Sequence, residues 1–325
     1  MKLGKLLAGV AVSALLATGA SAEGPTLKFG HVGNPGSLFE ATVNNFAECV
    51  NATGKATVEV FGSSQLGKDK ELLQKLKLGQ VDFALPSSVM SSVSDVFGVF
   101  EMPYIIKDRD HMRRVWDTLG ESTFQKAAND NGYRIVGVME NGFRHITNNV
   151  RAINVPDDLK GIKLRTPKGA WRVKMFQAYG ANPTPMAFSE VFTALQTGVI
   201  DGQENPYAQI TSAKFQEVQK YLSITGHVYT PAYITTAAAT YDGWPADVQE
   251  AVSSCGSSAR DYAYKKAAEL EGELLQVIKD AGVAVNDADK DAFIAASGGI
   301  YDEYASSVSG GADLIKQVQS LAAGS

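Results

Sequence analysis

Two arginines have the side-chain chemistry to hold an anion. Arg144 stands in Gly142-Phe143-Arg144-His145 and Arg165 in Lys163-Leu164-Arg165-Thr166-Pro167. Each lies at or just beyond an apolar, strand-like run, where open α/β sheets bind ligands. A guanidinium is planar and permanently charged, so it can hold a carboxylate through two parallel charge-assisted hydrogen bonds. The same position also suits a solvated, ion-paired surface arginine, and spacing alone leaves both uses open. Asn205, in Gly202-Gln203-Glu204-Asn205-Pro206-Tyr207, offers amide donors and an acceptor that fit a carboxylate or a hydroxyl, or a turn before Pro206. Phe188, just ahead of Ser189, fits either a hydrophobic staple or a pocket wall.

The constellations that turnover requires are missing. The histidines His31, His111, His145 and His227 are scattered, with no His-x-x-x-His or Cys-x-x-Cys metal spacing. There is no Gly-x-Ser-x-Gly elbow and no Gly-x-x-x-x-Gly-Lys phosphate loop. Gly30, Gly33 and Gly36 depart from the dinucleotide fingerprint and are read as letting backbone approach something closely at a cleft mouth. No cofactor and no metal are expected.

Short strand-like runs alternating with helical ones must position these side chains. Leu27 to Phe29, a helix from Leu38 to Val50 and a strand from Thr57 to Phe61 form one such set. Strands at Arg134 to Met139 and Ile162 to Leu164, with a helix from Trp171 to Tyr179 stopped by Gly180, form a second. The class is α/β with a largely parallel sheet. The segments Leu72 to Asp82 and Val191 to Asp201 share a helix, glycine, strand pattern, with Gly79 and Gly198 separated by 119 residues, as are Asp82 and Asp201. That interval is too long for a solenoid and suits two like lobes with a cleft between them. From Trp244 to about Gly282 apolar residues recur at three- and four-residue steps. A helix of about 35 residues would be about 50 Å long, longer than one lobe, and so would bridge both.

The chain opens with Lys2 and Lys5, an apolar run from Leu6 to Ala20, and the small residues Ala20-Ser21-Ala22 before Glu23. That pattern predicts an export signal over residues 1–22, since the broken run falls short of the roughly 20 residues a membrane span needs. Without Lys2 and Lys5 the chain carries 28 basic against 35 acidic residues, which excludes nucleic acid and anionic lipid as natural partners. Cys49 and Cys255 could close a disulfide in an oxidising periplasm or be two separately buried small hydrophobes.

Taken in order, further motifs give a family resemblance. The densest stretch runs Pro183-Thr184-Pro185-Met186-Ala187-Phe188-Ser189-Glu190-Val191, then Ala194-Leu195-Gln196-Thr197-Gly198, then Asp201-Gly202-Gln203-Glu204-Asn205-Pro206. Ser64-Gln65-Leu66-Gly67, Asp158-Leu159-Lys160-Gly161 and Glu217-Val218-Gln219-Lys220 leading to His227 match as well. From about Leu27 to the end of the long helix the chain resembles the solute-binding proteins of tripartite ATP-independent periplasmic (TRAP) transporters. The resemblance implies a two-lobed periplasmic binding protein fold with a long helix spanning both lobes. It places lobe I over residues 23–142, with about 231–270 returning to it, and lobe II over 143–230 with about 271–325. It also implies that Arg165 clamps a ligand carboxylate, that Asn205 and Arg144 assist, and that Phe188 packs on the ligand. His31, Ser87 and Ser88 are candidates for contacting the rest of it. Some members that bind sialic acid place glutamate where Ser87 stands, and their first-strand loop differs from Gly30-His31-Val32-Gly33-Asn34-Pro35. The expected protein is a periplasmic monomer that captures a small organic acid and delivers it to TRAP membrane permease subunits driven by an ion gradient. A periplasmic enzyme acting on an organic acid, with His31 or His145 as base, and a ligand-presenting sensor are the competing readings.

Overall fold

The computed structural model describes residues 24–322, so the export signal expected over residues 1–22 lies outside the described residues. The first half opens with β1 (Thr26–Gly30), whose Leu27 and Phe29 point into the core. A helix over Leu38–Ala52 follows; Ser37 caps it by accepting a hydrogen bond from the Glu40 amide at 3.1 Å, satisfying one of the free donors of the first turn. Its face of Phe39, Val43, Phe46 and Val50 is buried. Phe46 packs edge-on to Phe29 and Phe83, with ring centroids 5.7 and 5.3 Å apart. β2 (Thr57–Phe61), a helix over Asp69–Lys77 and β3 (Phe83–Ala84) complete this half, both strands pairing in parallel with β1.

The second half repeats the arrangement. β5 (Lys163–Thr166) is the middle strand, with β6 (Asn182–Pro185) and β7 (Gly202–Asn205) pairing in parallel on either side. The expected internal repeat is present at the level of single hydrogen bonds. Asp82 accepts the Lys28 amide through its carboxylate at 2.7 Å, and Asp201 accepts the Lys163 amide at 2.8 Å. Gly79 and Gly198 end their helices with φ of +63° and +72°, a conformation that side chains with a Cβ strongly disfavour.

Two long strands join the halves: β4 (Tyr133–Asn148) and β8 (Tyr221–Ala237). They are far longer than the Arg134 to Met139 run expected from sequence, because they carry the chain across both lobes. The sheet order is β2-β1-β3-β8-β4-β7-β5-β6, with β9 (Ala284–Asp287) added to β8. β4 and β8 are antiparallel, and their register shifts between Glu140 and Gly142 and again between Arg144 and Ile146. Such bulges bend a strand and re-aim its side chains, and here they flank Arg144.

A single helix over Ala246–Asp280, 35 residues, packs on the Leu38–Ala52 helix, on β4 and on the short helix Tyr207–Ser212, so it touches both halves. It can approach β4 closely because Gly256 faces the strand: a Cβ there would stand 1.9 Å from the Val136 carbonyl oxygen. Tyr264 rather than Tyr262 is buried, and Leu270, Leu274 and Leu275 are only partly covered. Cys49 and Cys255 form a disulfide, tying the first helix to the long one across 206 residues of sequence. No described helix is long and apolar enough to cross a membrane.

Candidate functional site

A cavity with about 400 Å³ of empty space, its open mouth included, lies between the two halves. The β1–β3 half of the chain contributes Val32, Phe39, Asp69, Ser88 and Val89, and the β5–β7 half contributes Arg165, Pro167, Phe188, Asn205 and Gln209, while Arg144 comes from the crossing strand. Arg165 projects from β5, in register with Gln203 of β7 and Thr184 of β6. It is 3% exposed. Its Nε and Nη2 donate to the Met186 carbonyl oxygen at 3.1 and 2.8 Å, which fixes the plane of the guanidinium without neutralising it. Among the described residues no carboxylate forms an ion pair with it. Burial pulls its pKa down to about 10, partly offset by the more distant Glu204 and Asp69. The Phe188 ring centroid lies 6.0 Å from the Arg165 guanidinium, and the ring is held edge-on against Phe215 at 5.7 Å. Phe188 is therefore cavity wall, and it also opens the short turn Phe188–Glu190.

Arg144 is equally buried but differently bound. Its Nε donates to Glu204 Oε2 at 2.5 Å, and its Nη2 reaches Glu204 Oε1, the Glu204 carbonyl and Asn205 Oδ1 at 3.0, 2.6 and 3.0 Å. Glu204 also accepts from Arg172 Nη1 at 2.7 Å and faces His227 Nε2 at 3.1 Å. Arg172 Nε in turn ion-pairs with Glu101 at 2.7 Å. All five side chains of this cluster are 2% exposed or less. Burial would raise the pKa of Glu204, but the guanidiniums of Arg144 and Arg172 overcome it and hold the carboxyl far below its ordinary value. Burial lowers His227 to about 4 despite Glu204, so its imidazole is neutral at pH 7.

The remaining expected residues divide. Asn205 is bound to Arg144 and lines the cavity that Arg165 also lines: its Oδ1 accepts from Arg144 and its Nδ2 donates to Gln203 Oε1 at 2.6 Å, leaving one amide hydrogen for the cavity. Ser87 lines the cavity, but its hydroxyl donates to the Pro231 carbonyl at 2.7 Å and accepts from Asn141. The Ser88 hydroxyl is buried and has no partner among the described residues. His31 is not among the lining residues; its ring packs against Gly33 and Gly62, both nitrogens lack partners, and burial lowers it to about 4. His145 stacks on Tyr207, accepts the Gly226 amide and is lowered by burial to about 3, which leaves it a poor base at neutral pH. No group of three or more His, Cys, Asp or Glu side chains among the described residues could hold a metal ion.

Sequence reasoning missed Asp69, Asn141 and Gln209 in the wall and the whole Glu101–Arg172–Glu204 chain behind it. Two of these had signals. Asp69 follows the Ser64-Gln65-Leu66-Gly67 motif by two residues, in the first turn of a helix, and Gln209 lies one helical turn beyond Asn205.

The chain matches the bacterial extracellular solute-binding proteins of family 7 over residues 29–307. It is 34% identical over 271 residues to the 2,3-diketo-L-gulonate-binding periplasmic protein YiaO of Escherichia coli K12, covering 82% of this chain and 83% of that one. It is 36% identical over 286 residues to the C4-dicarboxylate-binding periplasmic protein DctP of Rhodobacter capsulatus, covering 86% and 85%. Among solved structures, a TRAP periplasmic solute-binding protein of Roseobacter denitrificans OCh 114 with bound L-galactonate superposes with a TM-score of 0.85 at 34% identity, over 93% of this chain and 99% of that one.

Proposed function

The chain belongs to family 7 of the bacterial extracellular solute-binding proteins, and from that premise we propose that its cleft captures a small organic carboxylate on Arg165. It is a periplasmic binding protein of the TRAP transport system and not an enzyme. The observation that carries the proposal is the state of Arg165. A permanently charged group is buried, held in position by a neutral carbonyl, and faces a cavity in which no described carboxylate is ion-paired to it. Removing a charge from water is costly unless it is paired, so a ligand carboxylate entering the cavity completes an ion pair that the protein leaves half-built. Arg144 and Asn205 present their remaining hydrogens to the same anion, Phe188 covers its apolar side, and Ser88 contacts the rest.

The lobes divide as residues 23–142 with about 231–270, and 143–230 with about 271–325. β4, β8 and the long helix cross between them, so closure is a bending of these elements that brings Asp69 and Ser88 toward Arg165. The Lys68 to Glu190 pair at 2.6 Å already reaches across the cleft mouth. In the closed form water leaves the cavity and the guanidinium attracts its anion more strongly. The closed form then docks, as a monomer, on TRAP membrane permease subunits.

A thermal-shift screen over organic acids tests the carboxylate assignment. At 100 times its dissociation constant a ligand adds about 2.7 kcal/mol of stability. At least one acid should raise the midpoint accordingly; a screen in which uncharged analogues shift it as much as their acids would remove Arg165 as anchor.

A further inference from the structure

An ion pair joins the two halves at the cleft mouth and is connected to both walls of the cavity. Lys68 stands immediately ahead of the helix Asp69–Lys77, and its Nζ reaches Glu190 Oε1 at 2.6 Å, 122 residues away in the chain. Glu190 closes the turn Phe188–Glu190, and its second oxygen, Oε2, accepts the Ala187 amide at 3.1 Å. The residue before Ala187 is Met186, whose carbonyl fixes the Arg165 guanidinium, and the residue after it is Phe188, the aromatic wall. Lys68 is held on its own side as well, where its amide donates to Glu71 Oε2 at 3.1 Å. Between the two segments lies a vestibule with about 370 Å³ of empty space, lined by Lys68, Asp69, Val89, Arg165, Met186 and Ala187 among others. It shares Asp69, Val89 and Arg165 with the main cavity, and so leads from the ion pair to the anchor.

Both side chains of the pair are solvated, 39% and 45% exposed, so the bond contributes little to folding. Its placement matters for another reason. The partners sit on opposite halves, so the bond exists only while the mouth is narrow and is lost once the halves part by more than the reach of two side chains. Glu190 raises the pKa of Lys68 and Lys68 lowers that of Glu190, in each case chiefly through their hydrogen bond, so each keeps the other charged. Resting on the reading that the halves close around a carboxylate on Arg165, we propose that Lys68 and Glu190 are positioning residues for capture. They form a latch, made only in the closed form, that slows release of the bound acid although neither residue lines the main cavity. A contact present in one of two states shifts the equilibrium toward that state. Encounter takes place in the open form, where the partners are apart, so the association rate owes nothing to their bond. The dissociation rate does, because opening must break it.

The test compares the exported chain with its Lys68→Arg, Lys68→Gln and Lys68→Glu variants, using whichever of L-galactonate, D-erythronate and succinate binds most tightly. A chase of the radiolabelled acid with unlabelled acid gives the dissociation rate. Calorimetry gives the dissociation constant, and the ratio of the two is the association rate. Lys68→Arg keeps the charge and should stay closest to the parent. Release should be about 3-fold faster in Lys68→Gln and about 10-fold faster in Lys68→Glu, where two carboxylates meet at the mouth, with association rates within about 2-fold of the parent. Added salt should speed release from the parent more than from Lys68→Gln, since a solvated pair is screened far more than a buried one. Equal dissociation rates in all four proteins would overturn the latch while carboxylate capture stands. Slower association with unchanged release would make Lys68 a residue that steers anions toward Arg165, and would overturn the latch as well. If none of the three acids binds, the carboxylate reading falls and the latch with it.

Discussion

Arg165 and Arg144 are buried to nearly the same degree, 3% and 2% exposed, in one cavity wall, but the protein treats their charges in opposite ways. Around Arg144 the chain supplies a complete counter-charge: Glu204 bidentate, with Arg172, Glu101 and His227 behind it. Around Arg165 it supplies a carbonyl and an aromatic face. A buried cation with its own carboxylate is a structural element, since its pairing is finished before any ligand arrives. A buried cation fixed by a neutral group is a binding element, whose stabilisation is deferred to the ligand. The first region should therefore govern folding and the second affinity, even though the two guanidiniums line one cavity.

The sharpest way to break that distinction is Glu204→Gln. Removing the carboxylate leaves Arg144 and Arg172 buried with Glu101 alone, and breaking a buried pair costs about 3–5 kcal/mol. Chemical denaturation should show a loss of that size; a loss below about 1 kcal/mol would mean the cluster is not structural. Acid provides a milder probe of the same region. The folded pKa of His227 is lowered from 6.5 to about 4, so between those values the unfolded chain binds the extra proton and stability is lost as the pH falls. From pH 6.5 to 5 this one group contributes a loss of about 1.5 kcal/mol. His227→Gln should flatten the slope of stability against pH by nearly one proton in that window, and an unchanged slope would place the titration elsewhere. The smallest effect belongs to the cleft mouth. Lys68 and Glu190 are largely solvated, and Lys68→Ala should leave the same denaturation curves essentially unmoved.

The architecture was readable where it repeats locally. The helix, glycine, strand unit appears twice, and its two aspartates make the same backbone bond in both lobes. The long helix followed from spacing and length alone. The crossing strands were not readable, because β4 and β8 are buried on both faces and interrupted by bulges, which erases the two-residue alternation that marks a strand. In the site, the strand-end arginines were visible as a chemical type, but their different fates were not. Arg144 meets Glu204 across 60 residues, and nothing near Arg172 in sequence reveals that it lies buried against Glu101. Asp69 was hidden for the same reason, since a helix-starting acid is ordinarily a favourable dipole contact. Arg165, which lines the same cavity, lies nearly a hundred residues away.

Arg165→Met, a swap that keeps much of the side-chain bulk and removes the charge, tests the central claim most directly when calorimetric affinity and unliganded stability are measured on the same preparation. With the anchor gone, affinity for the best acid should fall by about 3–5 kcal/mol, at least 100-fold, as expected when a buried carboxylate loses its partner. Stability without ligand should hold or rise, because an unpaired buried cation has been removed. Retained affinity, or a collapse of stability like that of Glu204→Gln, would contradict the account by making Arg165 a structural residue and leaving the anion without its anchor.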